Sequence, residues 1–441
     1  MKIINDLYFA CIITGLFLLG GCEKSNEEFL GKESVMVEIT DVASDSEFRI
    51  VDICGAPHLR SCISFFNSEY PEYRVGYEAV SESAMKQESD AFWTRTMADM
   101  VSGDMPDLFC VAAGDEKMEA LYEKGILADL DDYVTEEIKL TIFPGIIQSG
   151  TIDNRWVGLG VTAMPYVMFV SDALWQDKHW TIEDILQIEE EHSELEGLFL
   201  WHGNSTPTWN AKCLFMNTYR FIDKKTGKTS FNGDTFQDAL TILRKYGEKS
   251  VYDKYISISL KEKKYLANTC IMVKPEMVID TLNDYYSNDC HMVGDVGQTE
   301  GIGHWGSLWL ILVNKETKHP EEVRKFLSYL LDFEIQHPDY ASVSTREDII
   351  RNKVEYWEKS GTYTYRLKDN VLVDFTKQNG ESYLDDYISL LRNLGPCIAD
   401  DDPVQQIVLE EVENYLNSEK TAEEVSNIVN SRVQIYLSES Q

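Results

Sequence analysis

The residues best able to do chemistry in this 441-residue chain are its nine cysteines, and their spacing limits what that chemistry can be. No Cys-x-x-Cys pair and no His-Cys cluster occurs, so the ligand spacing of a structural zinc site is absent, and neither a metal nor another cofactor is expected. The strings that accompany an activated serine, a zinc hydrolase or a phosphate loop are missing as well. Gly301-Ile302-Gly303 is too short for a phosphate cradle and no helix signal follows it. With 75 acidic residues, carboxylate pairs of the kind a glycosidase uses arise by chance. Such pairs therefore discriminate nothing, and a surface glycoside hydrolase stays only as an alternative.

Cys22 stands apart from the other eight. Met1-Lys2 opens the chain, an apolar run extends from Leu7 to Leu19, and Leu19-Gly20-Gly21 leads directly into Cys22. The run is too short for a bilayer span, which takes about 20 apolar residues, but it suits the apolar core of a secretory signal ending in small residues. This arrangement resembles the bacterial lipobox. The resemblance implies that the Cys22 thiol receives a diacylglyceryl group and that a peptidase cuts before it, leaving the chain lipid-anchored at the extracellular face of the cell membrane. An ordinary signal peptide with an incidental cysteine, or an uncleaved anchor, are the other readings, and Asp6 is unusual in a signal's leading segment.

Removing residues 1–21 takes away one Lys, one Asp and Cys11. The net charge therefore stays at −35, and seven cysteines remain beside Cys22. So acidic a surface is repelled by phosphate backbones, which excludes nucleic acid as a partner. An odd number of thiols excludes a complete disulfide framework, although one pair could be bridged. Several of them lie in apolar runs such as Leu108-Phe109-Cys110-Val111, where cysteine packs as a small hydrophobe. Residues 22–45 are polar, acidic and without clear period, as expected of a tether.

Beyond the tether, Phe48 to Ile53 predicts a first strand, Leu59, Ile63 and Phe66 a helix, Tyr73 to Tyr77 a second strand, and Ala91 to Val101 a further helix stopped by Gly103. A buried strand follows at Leu108 to Val111, then a helix from Glu116 to Lys124. Strands alternating with helices indicate parallel α/β units, and the length suits two packed lobes.

Five segments, in order, resemble one family. They are Val101-Ser102-Gly103-Asp104-Met105-Pro106-Asp107-Leu108-Phe109, then Asp153 to Leu159, then Phe169 to Trp175 with Trp180-Thr181-Ile182-Glu183-Asp184, then Ser307 to Val313 leading into Pro320 to Leu327, and finally Glu410 to Leu437. Together they are similar to the extracellular solute-binding proteins, family 1, the sugar-binding lipoproteins of ABC importers in Gram-positive bacteria. The chain departs from the family pattern at Gly160, where proline is usual, and at Met292 to Val296. The resemblance implies a two-lobed, periplasmic-binding-protein-like (type II) α/β fold with a hinge. Lobe 1 would hold residues 46–160 plus 305–345, and lobe 2 residues 161–304 plus 346–441, including the C-terminal helices. It further implies a monomer that captures a carbohydrate, an oligosaccharide by preference, for the permease subunits of an ABC importer. A receptor for a sensor system with the same fold is the alternative.

A sugar offers apolar C–H faces to planar rings and hydroxyls to carboxylates and amides. The chain has 9 Trp and 23 Tyr to meet the first need. Trp201 and Trp209 bracket His202 to Thr208 just after an apolar run, and Trp305 stands at the second expected crossing between lobes. Gly114-Asp115 follows the strand of the Pro-Asp segment, His58 follows the first strand, Lys274 follows Cys270 to Val273, and Tyr166 lies beside the first crossing. These eight are the candidate ligand-binding residues. A core role is the competing reading for the tryptophans, and it is preferred for Trp93 and Trp309. Asp107 is read as a structural, loop-capping carboxylate.

Overall fold

The computed structural model describes residues 47–56, 59–80, 86–177, 179–201, 204–223, 226–247, 251–252, 263–271, 290–296, 303–336, 344–360, 383–398 and 402–439. Cys22, the tether, His58 and Lys274 lie outside these residues. The main strands are β1 Arg49–Asp52, β2 Gly76–Ala79, β3 Leu108–Ala112, β4 Gly158–Ser171, β5 Gly197–Trp201, β6 Asn204–Ser205, β7 Val251–Tyr252, β8 Tyr265–Ile271, β9 Cys290–Val293 and β10 Trp305–Val313. The helices used below are α1 Leu59–Glu69, α2 Lys86–Val101, α3 Glu116–Glu123, α4 Pro144–Ser149, α5 Ile182–Glu191, α6 Pro207–Leu214, α7 Asp234–Gly247, α8 Pro320–Gln336, α9 Glu347–Ser360, α10 Tyr383–Asn393, α11 Pro403–Leu416 and α12 Ala422–Glu439. Among the described residues no helix is long and apolar enough to cross a membrane.

The chain divides into two compact units. The first holds the chain up to Thr135, Ile152–Leu159 and Trp309–Phe333, and the second holds Glu136–Thr151, Gly160–Leu308 and Glu334–Gln441. The chain passes from one to the other inside β4 and inside β10. Residues 136–151, placed with lobe 1 on sequence grounds, pack in the second unit. There the Phe143 ring lies 5.6 Å from that of Trp305 and the Phe143 N–H donates to Thr345 O at 3.1 Å.

In the first unit β1 runs parallel to β2 and β3, and the unit's part of β10 closes the sheet antiparallel to β3, with Leu310 opposite Val111. The interior residues Ile50, Val51, Leu108, Phe109 and Val111 are all buried, as parallel strands covered on both faces require. From α1, Phe66 meets Phe326 and Tyr329 of α8 edge-on at 5.2 and 5.3 Å. Asp107 has the structural role expected of it. One oxygen accepts from the Arg49 N–H at 2.9 Å and the other from Thr317 Oγ1 at 2.5 Å, which ties the start of β1 to the turn after β10. The second strand begins later than predicted because Pro71-Glu72-Tyr73 forms a 3-10 turn instead. Trp93 and Trp309, expected in the core, are both only partly buried.

In the second unit the strand order is β7-β6-β5-β8-β4, with β9 also paired to β4. β5 and β8 are parallel, while β8 and β4 are antiparallel. Trp180 and Phe199 meet edge-on in its core, and Phe221, Phe231 and Phe236 form a second aromatic group. The start of α5 carries a capping box, with Thr181 and Asp184 each satisfying the other's backbone N–H. Of the cysteines, Cys62, Cys110, Cys213 and Cys290 are buried and Cys54 and Cys397 partly so.

β1 ends because the carboxylate of Asp52 turns the chain. Its Oδ1 accepts from the N–H groups of Cys54 (3.1 Å) and Gly55 (2.8 Å), and its Oδ2 accepts from the Ala56 N–H (2.8 Å) and from Tyr77 Oη (2.7 Å). Gly55 takes φ +64°, where a Cβ is costly. Asp52→Asn would turn an amide N–H toward these donors. The expected loss is about 2–4 kcal/mol, seen as a lower urea midpoint at unchanged m.

Candidate functional site

Ligands of open α/β sheets bind beyond the carboxyl ends of the strands, and in each unit those ends carry polar and aromatic groups. In the first unit β3 runs out through Ala113 into Gly114, whose φ of +80° needs glycine, and Asp115 follows as the N-cap of α3. Asp115 Oδ1 accepts from the Lys117 N–H at 2.9 Å, and Lys117 Nζ donates to Asp115 Oδ2 at 2.8 Å. Lys117 is buried, and its Nζ also lies 3.9 Å from Asp90 Oδ1 of α2, whose side chain is half exposed. Asp115 thus holds Lys117 in place, and the pair with Asp90 forms a compact charged group able to donate to and accept from hydroxyls. Beside it, Ser89 Oγ donates to Ile53 O at 2.8 Å, joining α2 to the turn after β1.

In the second unit the register brings two expected residues, Trp201 and Tyr166, to one end of the sheet. Trp201 ends β5 opposite Thr269 of β8, β8 ends at Ile271, and Tyr166 of β4 lies opposite Ile271. Tyr166 is 8 % exposed, and its ring occupies the space beside Gly306, where a Cβ would come within 2.3 Å of it. Trp209 is carried by α6, whose N-cap is Thr206 with Pro207 as first residue. Its Nε1 donates to Thr269 Oγ1 at 2.9 Å and it is buried, as is Trp305. The Trp305 Nε1–H has no hydrogen-bond partner among the described residues.

Next to Trp305 in the chain stands a buried relay that sequence reading missed. The backbone N–H of His304 donates to Asp295 Oδ1 at 2.5 Å, His304 Nδ1 lies 3.3 Å from Asp295 Oδ2, and His304 Nε2 lies 3.2 Å from Asn217 Nδ2. Asn217 can only donate through that nitrogen. The network therefore assigns the imidazole proton to Nδ1, with Nε2 accepting. Gly303 gives this relay its room, since a Cβ there would lie 2.3 Å from Asp295 Oδ1. His304 was visible only as the residue before Trp305, and Asn217 stands 87 positions away with no local signal. Lys117 and Asp90 were missed for the same reason.

The only group of His, Cys, Asp or Glu within metal-ligand reach among the described residues is Asp52, Cys54 and Cys110. Since Asp52 already accepts four hydrogen bonds from backbone and tyrosine donors, two thiols are left, too few for a tetrahedral zinc site.

Gly303→Ala is expected to destabilise by about 1–3 kcal/mol through overpacking. In an Asp295→Ala background the same change should cost clearly less, because the atom it collides with is gone. Equal costs in the two backgrounds, measured by urea unfolding, would place the Gly303 constraint elsewhere.

The model of the bacterial extracellular solute-binding protein family matches residues 78–346, more than half of the chain. No curated protein matches the sequence. Among solved structures, the sugar-binding protein MalE from the phytopathogen Xanthomonas citri superposes with a TM-score of 0.57 at 11% identity, over 89% of this chain and 98% of that one. An extracellular solute-binding protein of family 1 from Alicyclobacillus acidocaldarius gives 0.53 at 14%, over 88% and 98%. An ABC substrate-binding protein from Listeria monocytogenes, in complex with cycloalternan, gives 0.50 at 14%, over 89% and 98%. At such identities the superpositions show the α/β fold. With the family match, and with the motifs found in order between residues 101 and 437, they make this chain a member of the bacterial extracellular solute-binding proteins.

Proposed function

We propose that the protein captures a carbohydrate outside the cell, an oligosaccharide by preference, and presents it to the permease subunits of an ABC importer while lipid on Cys22 holds it at the membrane. The observation that carries this reading is the family match over residues 78–346, together with superposable structures whose bound ligands are sugars. Lacto-N-biose occupies one of these, from Bifidobacterium longum, with a TM-score of 0.50. The residues at the strand ends supply the matching chemistry. The proposed rings are those of Trp201, Tyr166, Trp209 and Trp305, the last three of which are buried and would have to be uncovered to meet a C–H face, while Asp115, Lys117 and Asp90 beyond Gly114 offer charge-assisted bonds to hydroxyls. His58 and Lys274 complete the proposed set. The job is binding rather than turnover, as it is for the family.

Calorimetric titration of mono- and oligosaccharides tests this directly. At least one glycan should bind and raise the unfolding free energy, by about 2.7 kcal/mol at a ligand concentration of 100 Kd. Trp201→Ala should weaken that binding tenfold or more, about 1.4 kcal/mol, with little change in Tm. If every glycan fails and a peptide or polyamine binds, the carbohydrate assignment is wrong. If a chromogenic glycoside is turned over, and turnover is lost with one carboxylate, the protein is a hydrolase. For the anchor, Cys22→Ser should move the protein from the membrane fraction to the medium, because two acyl chains are what hold it.

A further inference from the structure

Two thiols in the first unit are in direct contact. Cys110 lies within β3, opposite Asp52 of β1, and Cys54 lies two residues beyond Asp52 in the turn that leaves β1. Their Sγ atoms are 3.8 Å apart. Cys54 is partly exposed and Cys110 is fully buried, so Cys54 is the nearer of the two to solvent. The third member of the cluster, Asp52, is held by the turn, and its Oδ1 also accepts from Cys54 Sγ at 3.4 Å. Closing the gap to the roughly 2 Å of an S–S bond needs rotation at Cys54, which sits in a turn and not in a strand ladder.

We propose that Cys54 and Cys110 are an oxidisable pair that forms a disulfide by exchange with a small-molecule or protein disulfide outside the cell. The Cys54 thiol gives up its proton, and its sulfur attacks one sulfur of the donor, releasing a donor thiol and leaving a mixed disulfide on Cys54. Cys110 then gives up its proton and attacks Cys54 Sγ, breaking the mixed bond and releasing the second donor thiol. Two protein thiols become one disulfide, and one donor disulfide becomes two thiols. The bridge would pin the turn at residues 53–56 to β3, closing a long loop of chain in the unfolded state as well. Exchange is slow at neutral pH. Burial first, with the Asp52 carboxylate adding to it, raises the Cys110 thiol to about 11, and burial raises Cys54 also, so thiolate is scarce.

The mature chain, purified reduced, is incubated with oxidised glutathione, quenched in acid, unfolded and alkylated with N-ethylmaleimide. The expected result is two fewer labels per chain than in the reduced control, a mapped peptide joining residue 54 to residue 110, and a Tm raised by several degrees that falls back with reductant. Cys54→Ser should abolish the loss of labels, and Cys213→Ala should not. The peptide map of the unmutated protein decides the matter even if a variant fails to fold. A full complement of labels after oxidation, a bridge between other cysteines, or two thiols protected by a bound soft metal and no cross-linked peptide would each overturn the proposal.

Discussion

Parallel strands buried on both faces leave little room for polar chemistry except at their ends, and the first unit of this protein works within that constraint. Ile50, Val51, Phe109 and Val111 fill the interior of the first sheet, so the charged group of Asp90, Asp115 and Lys117 can exist only where β3 has run out. In the second unit the antiparallel pairing of β4 with β8 is what brings Tyr166 to the same edge as the end of β5. A one-residue slip in that pairing would turn Tyr166 to the other face. Register, more than any single contact, decides which side chains are available to a ligand.

Polar groups that do enter the interior are held by several partners at once. Asp52 and Asp295 each accept from the main chain as well as from a side chain, and each depends on a glycine, Gly55 for its positive φ and Gly303 for the room it leaves. Such carboxylates cost little to bury once saturated and a great deal if one partner is lost. They act as fixed points around which the loops are laid.

Much of the scaffold was legible because its signals are local. The apolar run at Leu108 to Val111, the stop at Gly103 and the Thr181 to Asp184 capping box each declare themselves within a few residues. The second strand was misplaced by three residues because Pro71 starts a turn whose extent depends on packing. The site was harder to read. Abundant tryptophan pointed to aromatic chemistry but could not say that Trp209 and Trp305 would be buried, since burial follows from what α6 and Phe143 place over them. The relay of Asp295, His304 and Asn217 and the approach of Cys54 to Cys110 join residues far apart in the chain, and nothing near any one of them announces the others.

The turn after β1 has a further consequence for how such a chain can change over time. Its shape is dictated mainly by main-chain donors converging on Asp52, with the Cys54 thiol adding one weaker bond, so the identity of the side chains that follow the strand, Gly55 apart, matters little to its path. Residues there can be exchanged while the path of the backbone stays the same. A lineage could then vary the side chains at this strand end one residue at a time, with the scaffold unaware of the experiment.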